Sequence, residues 1–176
     1  TTVGDGAGNS NDGLDINLTG DLTLSGDITM GDTSNNAGAV ALDGVSGNIV
    51  LSSGGSSDST TVTISTNVSS TDRAISIGAV EDGGSALALY LDAGDADVTF
   101  GSTVGSSTAI GALTVLGNDL DLSGGNVEAT GEVILVANNP GADAESITFS
   151  GRTVDANGGN VFLSADSITF GTGLAS

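Results

Sequence analysis

Ser146-Ile147-Thr148-Phe149-Ser150-Gly151-Arg152-Thr153-Val154-Asp155-Ala156-Asn157-Gly158-Gly159-Asn160-Val161-Phe162-Leu163-Ser164-Ala165-Asp166-Ser167-Ile168-Thr169-Phe170 is the stretch that decides the fold. Its leading apolar positions are Ile147, Val154, Val161 and Ile168, a step of seven taken three times. Around each of them apolar and polar residues alternate, the pattern of a half-buried strand. Gly, Asn, Asp and Ser fill the intervals, where turns need local side-chain caps or a left-handed backbone. Ser-Ile-Thr-Phe then returns, 21 residues after its first appearance. Three strand-plus-turn units per return describe a triangular coil stacked on copies of itself, a parallel β-solenoid.

The same unit recurs upstream: a Gly or polar residue, an acid or amide, an aliphatic, a Thr-like residue, an aliphatic. Examples are Gly20-Asp21-Leu22-Thr23-Leu24, Gly26-Asp27-Ile28-Thr29-Met30, Gly47-Asn48-Ile49-Val50-Leu51 and Gly131-Glu132-Val133-Ile134-Leu135. Spacings of 20 from Val127 to Ile147, and of 21 from Val133 to Val154 and from Ile28 to Ile49, suggest one period throughout. That period predicts roughly eight coils and a rod roughly 40 Å long at the usual strand spacing. Residues 52–61 and 101–112 break the pattern and are expected to loop out of their coils. Residues 1–13, rich in Gly, Asn and Asp, read as an arm or linker, leaving 14–176 as one solenoid domain. Many short strands with frequent turn signals also fit an antiparallel β-sandwich, which stays open as the alternative all-β fold.

Composition removes most catalytic chemistry. The 176 residues carry 22 acids against two cations, both arginine, for a net charge of -20. Without Cys or His there is no thiolate or Ser-His-Asp nucleophile and no zinc site of the usual kind. Without Lys there is no Schiff base and no P-loop. The field repels nucleic acid and anionic membranes, and no apolar run is long enough to span a bilayer. The chain starts at Thr1 rather than Met, which reads as a mature or excised piece of a longer product.

The runs Asp95-Ala96-Asp97-Val98-Thr99-Phe100-Gly101, Ile110-Gly111-Ala112-Leu113-Thr114-Val115 and Gly158-Gly159-Asn160-Val161-Phe162-Leu163 resemble the repeats of large secreted bacterial surface proteins. These are the filamentous-haemagglutinin-like and autotransporter-like β-strand-repeat adhesins, and the resemblance covers most of residues 14–174. It implies a parallel β-helix, export to the cell surface, and work as a stalk, fibre or adhesin. It carries over no catalytic residue.

Candidate sites follow from the acids. Asp5, Asn9, Asn11, Asp12 and Asp15 set hard oxygen ligands in a Gly-rich turn, which suits Ca²⁺. Asp92, Asp95 and Asp97 form a second candidate Ca²⁺ group, with Asp95 and Asp97 expected on one face of a strand. Glu81 and Asp82 lie nearby in sequence, and Asp119 and Asp121 repeat the arrangement. The alternative for all of these is a solvated turn. Arg73 and Arg152 are candidates for an interface between coils or subunits. A carboxylate pair could serve glycoside hydrolysis, but one Tyr, four Phe and no Trp make a poor sugar platform. Thr61 and Thr63 share a face that hints at ice binding. Asn17-Leu18-Thr19 and Asn67-Val68-Ser69 fit the N-glycosylation pattern.

The expected function is therefore structural, not enzymatic. The chain would be part of an extracellular fibre, stalk or surface layer that assembles with copies of itself through strand edges, bridged by Ca²⁺. The alternatives are an adhesin segment contacting glycan or protein through residues 52–61 and 101–112, and a sandwich that polymerises by donating residues 1–13 or the tail.

Overall fold

The computed structural model describes residues 14–29, 39–53, 60–67, 72–138 and 144–171. Among them the chain is all β and climbs in turns. The first turn is β1 (Leu14–Asp15), β2 (Leu22–Leu24) and β3 (Ile28–Thr29). The second is β4 (Val40–Leu42), β5 (Ile49–Leu51) and β6 (Thr61–Ser65), and the third β7 (Ile75–Ile77), β8 (Val80–Asp82) and β9 (Ala88–Asp92). The fourth has β10 (Val98–Phe100) and β11 (Ala112–Gly117), with Val104 standing in for a strand between them. The fifth is β12 (Leu120–Asp121), β13 (Val127–Glu128) and β14 (Val133–Ala137); the sixth is β15 (Ser146–Thr148), β16 (Val154–Asp155) and β17 (Val161–Ser164). β18 (Ser167–Thr169) opens a seventh.

The first strands of all turns hydrogen-bond in the order β1-β4-β7-β10-β12-β15-β18, forming face one. Face two runs β2-β5-β8, then through the Val80–Val104 and Val104–Val127 bridges to β13-β16. Face three is β3-β6-β9-β11-β14-β17. Every strand pair is parallel. The fold is thus the parallel, three-faced solenoid and not the antiparallel sandwich.

The step of seven through Ile147, Val154, Val161 and Ile168 visits faces one, two, three and one again, and Ile147 pairs with Ile168. The other spacings are corrected by the register. Ile28 pairs with Ile64, not Ile49; Val133 pairs with Val161, not Val154; and Val127 pairs with Val154 while Ile147 pairs with Leu120. Partners on face one lie 21 residues apart at the shortest, Ile147 to Ile168, and 35 at the longest, Val40 to Ile75. The longer turns leave six complete turns instead of eight, a rod about 29 Å long.

Inward positions repeat from turn to turn, so like stacks on like. Val40, Ile75, Val98, Leu120 and Ile147 form one buried column of face one; Leu42, Ile77, Phe100, Leu122 and Phe149 are buried one residue pair further along it. A single turn has no other layer to bury these side chains, so stability accumulates between neighbours. Segment 101–112 does not loop out as expected. Val104 sits in face two, Ile110 bridges Ala129, and both are fully buried. Gly105 permits this course: its φ is +75°, and a Cβ there would overlap the Glu128 carbonyl oxygen. In segment 52–61, the Ser52 N–H bonds the Leu24 carbonyl and Thr61 opens β6, while residues 54–59 lie outside the described residues.

Candidate functional site

The acids of the repeat join one turn to the next. Asp21, immediately before β2, accepts the Asn48 N–H of the turn above at 2.8 Å. Asp27 accepts the Thr63 N–H at 2.7 Å, and Asp72 accepts the Asp95 N–H at 2.8 Å. Asp97 takes the Asp119 N–H at 3.2 Å and the Asn118 amide at 3.0 Å. Asp119 in turn takes the Ser146 N–H at 2.8 Å and its hydroxyl at 2.7 Å. Asn126 plays the same part for the Thr153 N–H at 3.2 Å. In each case a side-chain oxygen on the turn below satisfies a backbone N–H of the turn above.

Glu81 and Asp82 are the extreme case. Both are 5% exposed. Glu81 receives the Ser106 hydroxyl at 2.7 Å, the Ser107 N–H at 3.0 and 3.1 Å, and the Thr108 N–H at 2.7 Å, all from the turn above. Asp82 receives the N–H groups of Gly84, Ala86 and Leu87 at 2.6, 2.9 and 2.9 Å and so shapes its own corner. Among the described residues no buried side-chain polar atom lacks a partner. Sequence reading passed over this role. The available signal was an acid or amide placed directly before an aliphatic-Thr-aliphatic triplet.

The proposed metal ligands fare differently. Asp5, Asn9, Asn11 and Asp12 lie outside the described residues, as does the side chain of Asp15. Asp95 and Asp97 do not share a strand: both fall in the corner between β9 and β10, which ends where Val98 turns inward. Asp92 receives the Asn67 amide at 3.1 and 3.2 Å on its two oxygens and the Gly94 N–H at 3.1 Å. The carboxylates of Asp92 and Asp97 are thus engaged by N–H donors. Among the described residues no group of three or more acids is placed to hold a metal ion. The Asn67 amide nitrogen, the atom a sequon would modify, is occupied by Asp92, and Val68 and Ser69 lie outside the described residues.

The two arginines work within the wall. Arg152 Nε donates to the Ser123 carbonyl at 3.0 Å, tying the sixth turn to the fifth. Arg73 donates to the Asp72 carbonyl at 3.1 Å, and its own carbonyl accepts the hydroxyl of the buried Thr66. Thr61 and Thr63 pair with Ala88 and Tyr90 on the next turn, and Ala112 and Thr114 follow on the one after. The row is therefore not a flat threonine array. Burial raises the Tyr90 phenol above its ordinary 10.0, and the negative charge of Asp92 raises it further.

Among the described residues, both ends of the rod have apolar linings. At the C-terminal end a cavity of about 290 Å³ is lined by Phe149, Thr153, Val154, Val161, Leu163 and Phe170, with Arg152 at its side. Phe170 stacks on Phe149 with ring centroids 5.2 Å apart and planes within 8°, and remains 40% exposed. Val161 and Phe162 are 44% and 54% exposed. The opposite end has a cavity of about 160 Å³ bounded by Leu14, Ile16, Leu22, Leu24 and Ile28. A shallow trough of about 280 Å³ also follows the corner between faces three and one, past Asn67, Asp92, Asp95 and Asn138. No protein-family model, curated protein or solved structure matches the chain.

Proposed function

We propose that this chain is a structural segment of an extracellular fibre, stalk or surface layer, lengthened by turn-on-turn stacking between copies. The observation that carries the reading is the C-terminal end of the rod. Among the described residues, three sheet edges, β16, β17 and β18, an apolar cavity and the Phe170 ring are presented there together. Open strand edges pair with further strands, and an exposed apolar surface gains by being covered. The resemblance of the repeats to secreted adhesins supports a place at the cell surface. Divalent cations, Ca²⁺ first among them, act in this reading as counter-ions to the -20 charge and as bridges between copies.

Sedimentation velocity and negative-stain electron microscopy at rising protein concentration, in Ca²⁺ and in chelator, test the proposal. Species that grow with concentration, seen as rods of constant width and longer in Ca²⁺, are expected. A single 16.8 kDa species at every concentration in both buffers would overturn it.

A further inference from the structure

We infer that the outside of face three is a docking surface for the same face of a second copy, so that rods pair side by side. In β9, β11 and β14 buried residues alternate with half-buried ones, which puts Tyr90, Thr114, Leu116, Ile134 and Val136 on the outside of the wall. The register stacks Tyr90, Thr114, Ile134 and Phe162 in one outer column and sets Leu116 beside Val136 in the next. This stripe climbs the side of the rod across four neighbouring strands, from the third turn to the sixth. Leu116 and Val136 also line the shallow outer trough, so both are reached from solvent. The outer positions of the other faces differ. On face one they hold Ser76, Thr99, Asp121 and Thr148, and on face two Glu128 stacks on Asp155. Among the described residues, large apolar side chains thus gather on the outside of one face of the three, and a contiguous patch of that kind marks a contact surface.

Charge and spacing identify the occupant. Acids stand at the margins of the stripe, Asp92 on one side and Glu132 on the other, and its central column is uncharged. Both Asp92 oxygens already hold the Asn67 amide, and one also takes the Gly94 N–H. A basic partner finds little to pair with here and is drawn to the acids of the corners and of face two. Two copies that each carry a net charge of -20 can approach across this face with no carboxylates opposed at its centre. The stripe is also ridged at the strand spacing of about 4.8 Å. Sheets pack face to face by interdigitating side chains, and a second copy brings ridges at the same interval. Four strands of about five residues present roughly 300 Å² of flat face, against about 800 Å² per partner in a standard stable interface. Single copies therefore pair weakly, and copies already stacked end to end pair more tightly because their stripes act together.

The chain has no Cys, so one introduced thiol reports one face. Thr114→Cys places it in the centre of the stripe, and Thr99→Cys places it on the outside of face one. A short bis-maleimide then captures copies that meet there. In end-to-end stacks two Thr114 positions are about six turns apart, roughly 29 Å, and out of its reach. Covalent dimers from Thr114→Cys are expected in several-fold higher yield than from Thr99→Cys. The yield should rise with NaCl, which screens the repulsion between copies. Adding Ile134→Asp should abolish these dimers with the far-UV circular dichroism unchanged, and the milder Ile134→Thr, which keeps a β-branched side chain, should reduce them. Equal yields at the two positions, a yield that falls with NaCl, or no dimer from Thr114→Cys would overturn the pairing. Long rods without Thr114→Cys dimers would remove the side contact and leave end-to-end stacking intact. Thr114→Cys dimers in a chain that forms no rods would keep the side contact and remove the stacking.

Discussion

Replacing Glu81 separates a structural staple from a solvated acid. Its two oxygens hold the Ser106 hydroxyl and the Ser107 and Thr108 N–H groups in a site 5% exposed. Glu81→Ala leaves two backbone N–H groups without an acceptor, and each such loss costs about 1–3 kcal/mol. The expected destabilisation is roughly 3–5 kcal/mol, a large share of the roughly 5–15 kcal/mol that holds a typical domain folded. Glu81→Gln is milder. The carboxamide oxygen can keep Ser107 and Thr108 while the Ser106 hydroxyl reverses to accept from the new NH₂. Its cost is about 1–2 kcal/mol, chiefly the charge lost from the remaining bonds. Urea unfolding followed by far-UV circular dichroism gives the stability, and amide hydrogen exchange at Ser107 and Thr108 gives the local effect. Since a solenoid opens between neighbouring turns, exchange at these two amides should rise before exchange in β14. A Glu81→Ala chain within about 1 kcal/mol of the parent, with Ser107 and Thr108 still protected, would show that the staple contributes little.

Tyr90 is the only tyrosine, so absorbance near the phenolate band reads it alone. Its midpoint is expected above 10.0, and Asp92→Asn should lower it. Because the folded phenol holds its proton more tightly than the unfolded one, the associated stability is complete below pH 10.0 and is lost as pH rises through the folded midpoint; a midpoint at or below 10.0 would contradict this. Gly105→Ala should cost about 1–3 kcal/mol in urea unfolding, from its left-handed φ and the overlap with the Glu128 carbonyl; an unchanged unfolding midpoint would be wrong for this backbone. Asp119→Ala removes the acceptor of both Ser146 bonds and should cost about 1–3 kcal/mol, with Asp119→Asn recovering most of it. Equal losses for the two variants would mean that Asp119 acts through its charge and not through the oxygen it offers.

How far the sequence could be read depended on corner length. Between Ile147 and Ile168 the corners are short, so one apolar position per face shows the whole turn. Elsewhere the turns lengthen, and a fixed step of 21 lands on the wrong face: Ile49 follows Ile28 by that distance yet belongs with Leu22. The Ser-rich run around Ser106 reads as a loop because nothing local says where its N–H groups go. Their acceptor, Glu81, lies 25 residues or more away in sequence. The same distance hid the work of Asp21, Asp97 and Asp119. An acid beside a turn looks solvated until the turn above is in place. The open ends were legible only as terminal strands, since exposure of Val161 and Phe170 depends on what the next turn would have covered.

Electron cryomicroscopy of the concentrated chain tests most directly that stacked turns continue from one copy into the next. Rods with a spacing of about 4.8 Å along the axis, uninterrupted where one copy meets the next, are predicted. Dispersed particles no longer than about 29 Å, or rods joined only side by side, would contradict it.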